Sequence, residues 1–367
     1  MLVKFVHHDL NQPEVAGCLM PWDIPFYSET LRERVCGFDE SSLHPYTSLP
    51  TLLEGLLSLA EQLFDVRFKP MPDVPTWHED VLVYGVWDHT DFRGYAYMDL
   101  HPRQGKRPGA WMYPLIHATE TNMPISGVMA ANLSRGTEAK APRLDHREMC
   151  TLYHEFGHLL HHLLSDVKIG SLAGTNVAWD FVELPSQILE NWCWSSDALS
   201  TLLVHEDTGL APPSELIHKL VKSRTYRAAS GLRRQVSFAA LDFKLHRMAA
   251  GTDPWSEALE HARSYSLVPL PDTYSMITSF GHLFSSAVGY SAGYYAYLWA
   301  QMLEADAFER FEDEGVFSSE TGRHFRETIL STGNMAPAMT SFMSFRGQEP
   351  SEDALFRRLG LMETNEP

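Results

Sequence analysis

The chain has 367 residues, 44% of them hydrophobic, and a formal net charge of −18 at pH 7. That is one large domain or two small ones, with ample length for a core. The acidic balance excludes nucleic acid and anionic membrane surfaces as natural partners, because phosphates would be repelled.

In chain order, Trp22 to Phe64 predicts helical hairpins, broken at Tyr46-Thr47-Ser48, with Leu49-Pro50-Thr51 opening the next helix. Val66 to Pro75 is extended and punctuated by proline. Val81 to Trp87 is a β-branched and aromatic run that predicts a strand. The turn Asp91-Phe92-Arg93-Gly94 leads to a second strand at Tyr95–Leu100, and Gly127–Asn132 is a third candidate. Met149 to Leu164 is an apolar helical stretch. Beyond Asp180 the pattern is almost wholly helical, with starts at Pro212-Pro213-Ser214 and Asp253-Pro254-Trp255 and a break at Leu267–Pro271. A long apolar helix is expected over Tyr290–Phe311, followed by two or three shorter ones. Met1 to His8 is too short and polar for a signal-peptide core, and no apolar run reaches membrane-spanning length. Cys18, Cys36, Cys150 and Cys193 are scattered, without a C-x-x-C, which fits reduced thiols and a cytoplasmic protein.

The chemistry concentrates in His154-Glu155-Phe156-Gly157-His158. At i and i+4 on one helical face, two imidazoles can reach a single tetrahedral zinc, with Glu155 beside it to take a proton from water. His161 shares nearly that face but lies about 10 Å further along the axis. It is expected to be a hydrogen-bonded histidine near the cleft rather than a ligand. A further ligand must come from elsewhere, and Asp180 to Trp192 supplies candidates past the turn-rich loop Gly170–Asn176. Glu183, Gln187 and Glu190 fall at i, i+4 and i+7, which fits either a solvated stripe or polar groups aimed at a metal. Cys150 lies one turn before His154, but a thiolate ligand is not needed once the His-Glu set is filled.

Tyr153–His158 followed by Asp180–Trp192 resembles the zinc metallopeptidase family of thimet oligopeptidase, oligopeptidase A and dipeptidyl carboxypeptidase. Asp99–Trp111, Gly293–Trp299 and Phe342–Leu361 resemble further family segments, in the family's order, so the likeness runs from about Trp22 to Leu361. The resemblance implies a mainly helical, zincin-like catalytic domain over 22–362, with a small antiparallel sheet at the cleft. Residues 1–21 would then be an N-terminal extension and 363–367 a frayed tail. It implies one zinc ion held by His154, His158 and Glu183, with Glu155 as general base and Glu190 orienting a ligand histidine. It also implies that His282, Tyr294 and Tyr297 bind substrate and steady the oxyanion, with Tyr290 and Gly174 in substrate binding. By spacing alone Tyr290, Tyr294 and Tyr297 fit a core stripe equally well.

The implied activity is hydrolysis of short peptides. The alternatives are a zinc-containing peptide-binding protein with little turnover, or a metallocarboxypeptidase. Family members are usually nearly twice as long, and their N-terminal helical half walls a channel. Either a second copy or a partner is therefore expected over the face that this half would cover, or the cleft is more open. The family's short Gly-Gly step after the histidine is replaced here by Leu283–Gly289.

Overall fold

Helices form where apolar residues recur at helical spacing, and strands where β-branched and aromatic residues cluster. The computed structural model describes every residue except 13, 15–18, 118–122, 138–140, 285, 287–288 and 363–367. Cys18, the tail 363–367 and part of the loop between His282 and Tyr290 therefore lie outside the described residues. After short helical turns at Leu2–Lys4 and Phe5–Asp9, the longer helices begin with α1 (Ile24–Cys36) and α2 (Leu49–Phe64), followed by strands β1 (Val66–Pro70), β2 (Leu82–Asp88), β3 (Asp91–Asp99), β4 (Trp111–Ile116) and β5 (Ile125–Ala130). Then come α3 (His146–Leu163), α4 (Trp179–Val182), α5 (Leu184–Leu189), α6 (Ser196–Leu202), α7 (Ser214–Ser223), α8 (Ala228–His246) and α9 (Pro254–Tyr265). The chain closes with α10 (Tyr295–Glu314), α11 (Ser319–Phe325), α12 (Ala338–Arg346) and α13 (Asp353–Arg358). The fold is mainly helical with one small sheet, as expected.

The sheet has the order β1-β2-β3-β5-β4. Its pairings are antiparallel except for β3 with β5, which is parallel, so the sheet is mixed where an antiparallel one is expected. Gly94 explains how that pair closes. The composition of 91–94 predicts a turn that includes Gly94, but the reversal is at His89, whose φ is +51°, and Gly94 lies within β3. A Cβ there would sit 1.6 Å from the Ile125 carbonyl oxygen, so only glycine lets β5 come alongside. The sequence pattern does not predict strand β4, because Pro114 lies within it. An edge strand tolerates proline, and the register shifts between Pro114 and Ile116.

Helix α3 runs through the centre. Leu152, Phe156, Leu159, Leu160 and Leu163 are buried against the sheet and the surrounding helices. Each fully buried side chain of this size contributes about 1.5–3 kcal/mol. A smaller apolar cluster of Phe238, Leu241, Ala258, Phe280 and Leu283 supports Tyr290 and Tyr294 from the α8–α9 side. Helix α10 begins at Tyr295 rather than Tyr290, because the preceding turn carries Ala292 at φ +55°.

The exit of β3 is clamped by a buried charge cluster. Asp99 accepts from Trp77 Nε1 at 3.0 Å, from Arg103 Nη1 and Nη2 at 2.6 and 2.7 Å, and from Lys106 Nζ at 3.0 Å. Lys106 also donates to the carbonyls of His101 and Ala131, which ties the β3–β4 connection to the end of β5. Burial disfavours the charged form, yet the bonds from Arg103, Trp77 and Lys106 hold Asp99 well below the usual carboxylate range. Side-chain exposure is only 3% at Lys106 and 5% at Asp99, so removing one partner strands a buried charge. Asp99→Ala should therefore lower the unfolding free energy by about 3–5 kcal/mol in urea titration. Glu215→Ala, which breaks the exposed pair with Lys219, should leave the urea midpoint nearly unchanged in the same assay.

Candidate metal centre

Asp145 and Glu148 set the start of α3. The Asp145 side chain accepts from Glu148 N at 2.6 Å, and Glu148 Oε2 accepts from Asp145 N at 3.1 Å, a reciprocal capping box. The helix thus starts at His146, a turn before the apolar run begins. The D-x-x-E pattern is the signal that locates this start. From there, helical pitch places His154 and His158 one above the other, with ring centroids 5.0 Å apart.

The segment expected as one helix over 180–192 is broken. Pro185 lies in the first turn of α5, and Glu183 sits at the junction between α4 and α5. A short 3₁₀ turn over Glu190–Cys193 follows. The break aims the polar side chains differently from a continuous stripe. Glu183 Oε2 lies 3.3 Å from His154 Nε2 and 3.1 Å from His158 Nε2. Glu190 Oε1 lies 2.7 Å from His154 Nδ1, on the far side of the same ring. Gln187 turns away and donates from Nε2 to the Tyr297 carbonyl at 3.3 Å.

One donor atom each from His154, His158 and Glu183 lies within 4.8 Å of the others, a cluster able to hold a metal ion. Burial opposes charge on His154, but the carboxylates of Glu183 and Glu190 hold its imidazole well above the ordinary value. Burial likewise opposes charge on Glu183, while the two imidazoles hold it well below the carboxylate range. Burial pushes Glu155 up, with Glu183 and Glu190 adding to the rise against both imidazoles. Glu155 Oε2 and His158 Nδ1 are buried and reach no described hydrogen-bond partner.

Tyr290, Tyr297 and His282 converge at the other side. The Tyr290 and Tyr297 rings stack at 6.0 Å with planes 12° apart, and His282 lies 5.4 Å from Tyr290 and 6.4 Å from Tyr297. Burial, together with hydrogen bonding to Tyr297 and Glu183, raises the Tyr290 phenol far above its usual value. Burial pushes Tyr297 up to about 12. Tyr294 differs. Its hydroxyl donates to Gln235 Oε1 at 2.9 Å, and its backbone N–H donates to Asp242 Oδ2 at 2.8 Å, which anchors the start of α10 to α8. Tyr295, not singled out from sequence, donates to Asp180 Oδ2 at 3.0 Å and links α10 to α4.

Two further histidines of α3 serve the packing. His162 Nε2 donates to the carbonyls of Ser126 at 3.0 Å and Ile116 at 3.2 Å, joining α3 to β5 and β4. His161 is fully buried with neither ring nitrogen reaching a described partner, which corrects the expectation of a hydrogen-bonded histidine. Burial pulls it down to about 3, so it is neutral at pH 7. Gly174 has φ +54° and packs on His162, where a Cβ would lie 3.0 Å from His162 Cα. Cys150 Sγ lies 3.7 Å from His146 Nδ1 and is not part of the three-donor cluster.

Among known proteins, the sequence pattern of peptidase family M3 matches residues 1–361. Oligopeptidase A of Escherichia coli is 37% identical over 353 residues, a match covering 94% of this chain and 52% of the relative. Dipeptidyl carboxypeptidase of the same organism is 34% identical over 350 residues, covering 93% of this chain and 51% of the relative. The chain thus spans about half the length of these curated relatives. A solved structure described as "The Structure of CHT" superposes with a TM-score of 0.51 at 11% identity, covering 92% of this chain and 65% of that one, a likeness of fold. No described helix is long and apolar enough to cross a membrane.

All of this geometry depends on how closely α5 approaches α3. A Cβ on Gly157 would lie 2.3 Å from the Pro185 carbonyl oxygen and 2.6 Å from Ser186 Cα, both backbone atoms. Gly157→Ala should push α5 away, cost about 1–3 kcal/mol of stability, and reduce bound metal in elemental analysis. A variant that keeps wild-type stability and metal content would show that the approach is not limiting.

Proposed function

Because the chain belongs to peptidase family M3, we propose that it hydrolyses peptide bonds in short peptides, using one zinc ion held by His154, His158 and Glu183. The observation that carries this reading is the convergence of those three donor atoms with the buried Glu155 carboxylate beside them. Two imidazole nitrogens and one carboxylate oxygen form a donor set that zinc takes in hydrolytic sites, leaving a position for water or substrate. When bound, zinc supplies Lewis acidity that makes water a nucleophile near neutral pH.

The protein's own groups do the rest in this reading. Glu155 takes a proton from the attacking water and delivers it to the departing amine nitrogen. Its burial raises its proton affinity toward the range where it can do both. Tyr297 and Tyr290 donate hydrogen bonds to the oxygen on which negative charge develops. Both stay protonated at neutral pH, since their buried phenols are pushed upward. His282 packs against both rings and completes that wall. Tyr294, whose hydroxyl is engaged by Gln235, contributes by holding the segment in place. Glu190 fixes the His154 ring through Nδ1, leaving Nε2 for the metal. The outer edge of β4 offers main-chain groups to an extended peptide. Gly174 acts at one remove from the peptide, through His162. A cytoplasmic location belongs to the same reading and agrees with the free thiols of Cys36, Cys150 and Cys193.

The test is Glu155→Gln, assayed for metal content and for cleavage of a quenched fluorescent peptide. Metal should be retained while kcat falls by about 10²–10⁴-fold, and unchanged cleavage would refute the assignment. Glu190→Ala should instead weaken metal binding by about 10–100-fold in chelator competition.

A further inference from the structure

In this acidic chain one stretch is wholly cationic. Between Glu215 and Asp242 stand Lys219, Lys222, Arg224, Arg227, Arg233 and Arg234, with no acidic residue among them, in a sequence of 47 acidic and 29 basic residues. The stretch forms α7, the following turn and most of α8. Its inner side borders a cavity of about 440 Å³, lined by Arg224, Gly231, Gln235 and Gln301 together with Gln187 and Tyr297. That volume lies in the range of small-ligand sites. Tyr297 borders both this cavity and the metal centre. Gln187 sits one helical turn after Glu183, and its Nε2 holds the Tyr297 carbonyl at 3.3 Å.

Arg224 has spare bonding capacity there. Its Nη2 donates to Asn191 Oδ1 at 2.7 Å, and its guanidinium lies 5.3 Å from the Trp194 ring centroid. No described carboxylate forms an ion pair with it. Two carboxylates lie near it: Glu304 is already engaged by Arg358 at 2.5 Å and by Asn191 at 2.6 Å, and Glu312 acts on it only at longer range, without an ion pair. Burial pulls Arg224 down to about 10, which leaves it a cation at neutral pH. Gln187 Oε1 is buried in the same wall and reaches no described donor. A ligand that presents a carboxylate to Arg224 and an N–H to Gln187 would satisfy both, and a peptide carries both groups.

We propose that this cavity is a carboxylate-binding subsite for the peptide, with Arg224 as its anchor. The proposal rests on the peptidase reading above. The guanidinium fork pairs with a carboxylate in two parallel hydrogen bonds, and the pairing gains strength where water is excluded. The carboxylate is either the peptide's free C terminus or an acidic side chain. The first source would make the protein discriminate by distance from the C terminus, the second by sequence.

The test compares kcat/KM for one cleaved peptide in two series, free against amidated C terminus, and Glu against Gln at successive positions. One series should show a loss of about 10–100-fold on neutralisation, and that series identifies the source. Arg224→Gln should bring the two members of that pair to within about twofold. Gly231→Glu should do the same by placing a carboxylate in the cavity, where nothing lies within 4 Å of the new Cβ. The second variant decides the matter if loss of the Asn191 contact unfolds the first. Equal rates for every pair in the wild-type protein, or a preference that survives both substitutions, would overturn the subsite. If no peptide is cleaved at all, the peptidase reading fails instead. The subsite is then judged from fluorescence titration with the same peptides, where equal affinities for charged and neutral members would overturn it.

Discussion

At Gly157 two helices come closer than any side chain would permit. The space a Cβ would need is taken by the Pro185 carbonyl and the Ser186 backbone. This contact sets the distance between α3, which carries both histidines, and the α4–α5 junction, which carries Glu183. The short separations from Glu183 Oε2 to the two imidazoles follow from it. So does the position of Glu190, which reaches the opposite nitrogen of His154. A glycine in mid-helix costs about 1 kcal/mol relative to alanine. Here that cost is offset by a close packing that a larger residue could not make.

The polar groups around this contact are mutually compensated inside an apolar core. His154 is held between two carboxylates, and Ser186 Oγ donates to Glu183 Oε2 at 2.9 Å. Buried charge is tolerated when each charge is paired and its remaining sites are hydrogen-bonded. Glu155 Oε2 and His158 Nδ1 depart from that pattern, buried at the centre without a described partner. The tyrosine segment is supported differently. It rests on the smaller cluster beneath α8 and α9 and is tied down by the bond from Tyr294 N to Asp242. The centre is thus assembled from two packing units, with α5 and α10 between them.

Much of this was legible beforehand for local reasons. The spacing of His154 and His158 depends only on helical pitch, and the apolar run around them specifies a buried helix. The strands at 82–88 and 91–99 followed from β-branched and aromatic residues. Local pattern misleads where a residue has two possible uses. Gly94 has the composition of a turn but serves a close approach between parallel strands. Pro114 argues against a strand yet sits in an edge strand. The stretch 180–192 has helical spacing, but Pro185 breaks it at the point where Glu183 must turn inward.

Sequence alone determined the two-histidine face, the neighbouring Glu155, the mainly helical class and the segments from which further polar groups would come. These depend on contacts within a few residues, where backbone geometry is periodic. Only the tertiary structure decided which carboxylate meets which ring nitrogen, that Tyr290 and Tyr297 face the centre while the Tyr294 hydroxyl turns to Gln235, and that β3 pairs with β5 in parallel. Those outcomes depend on the approach of elements distant in the chain. The approach is set by the volume of residues such as Gly157 and Gly94 where the backbones touch, and no local pattern encodes it.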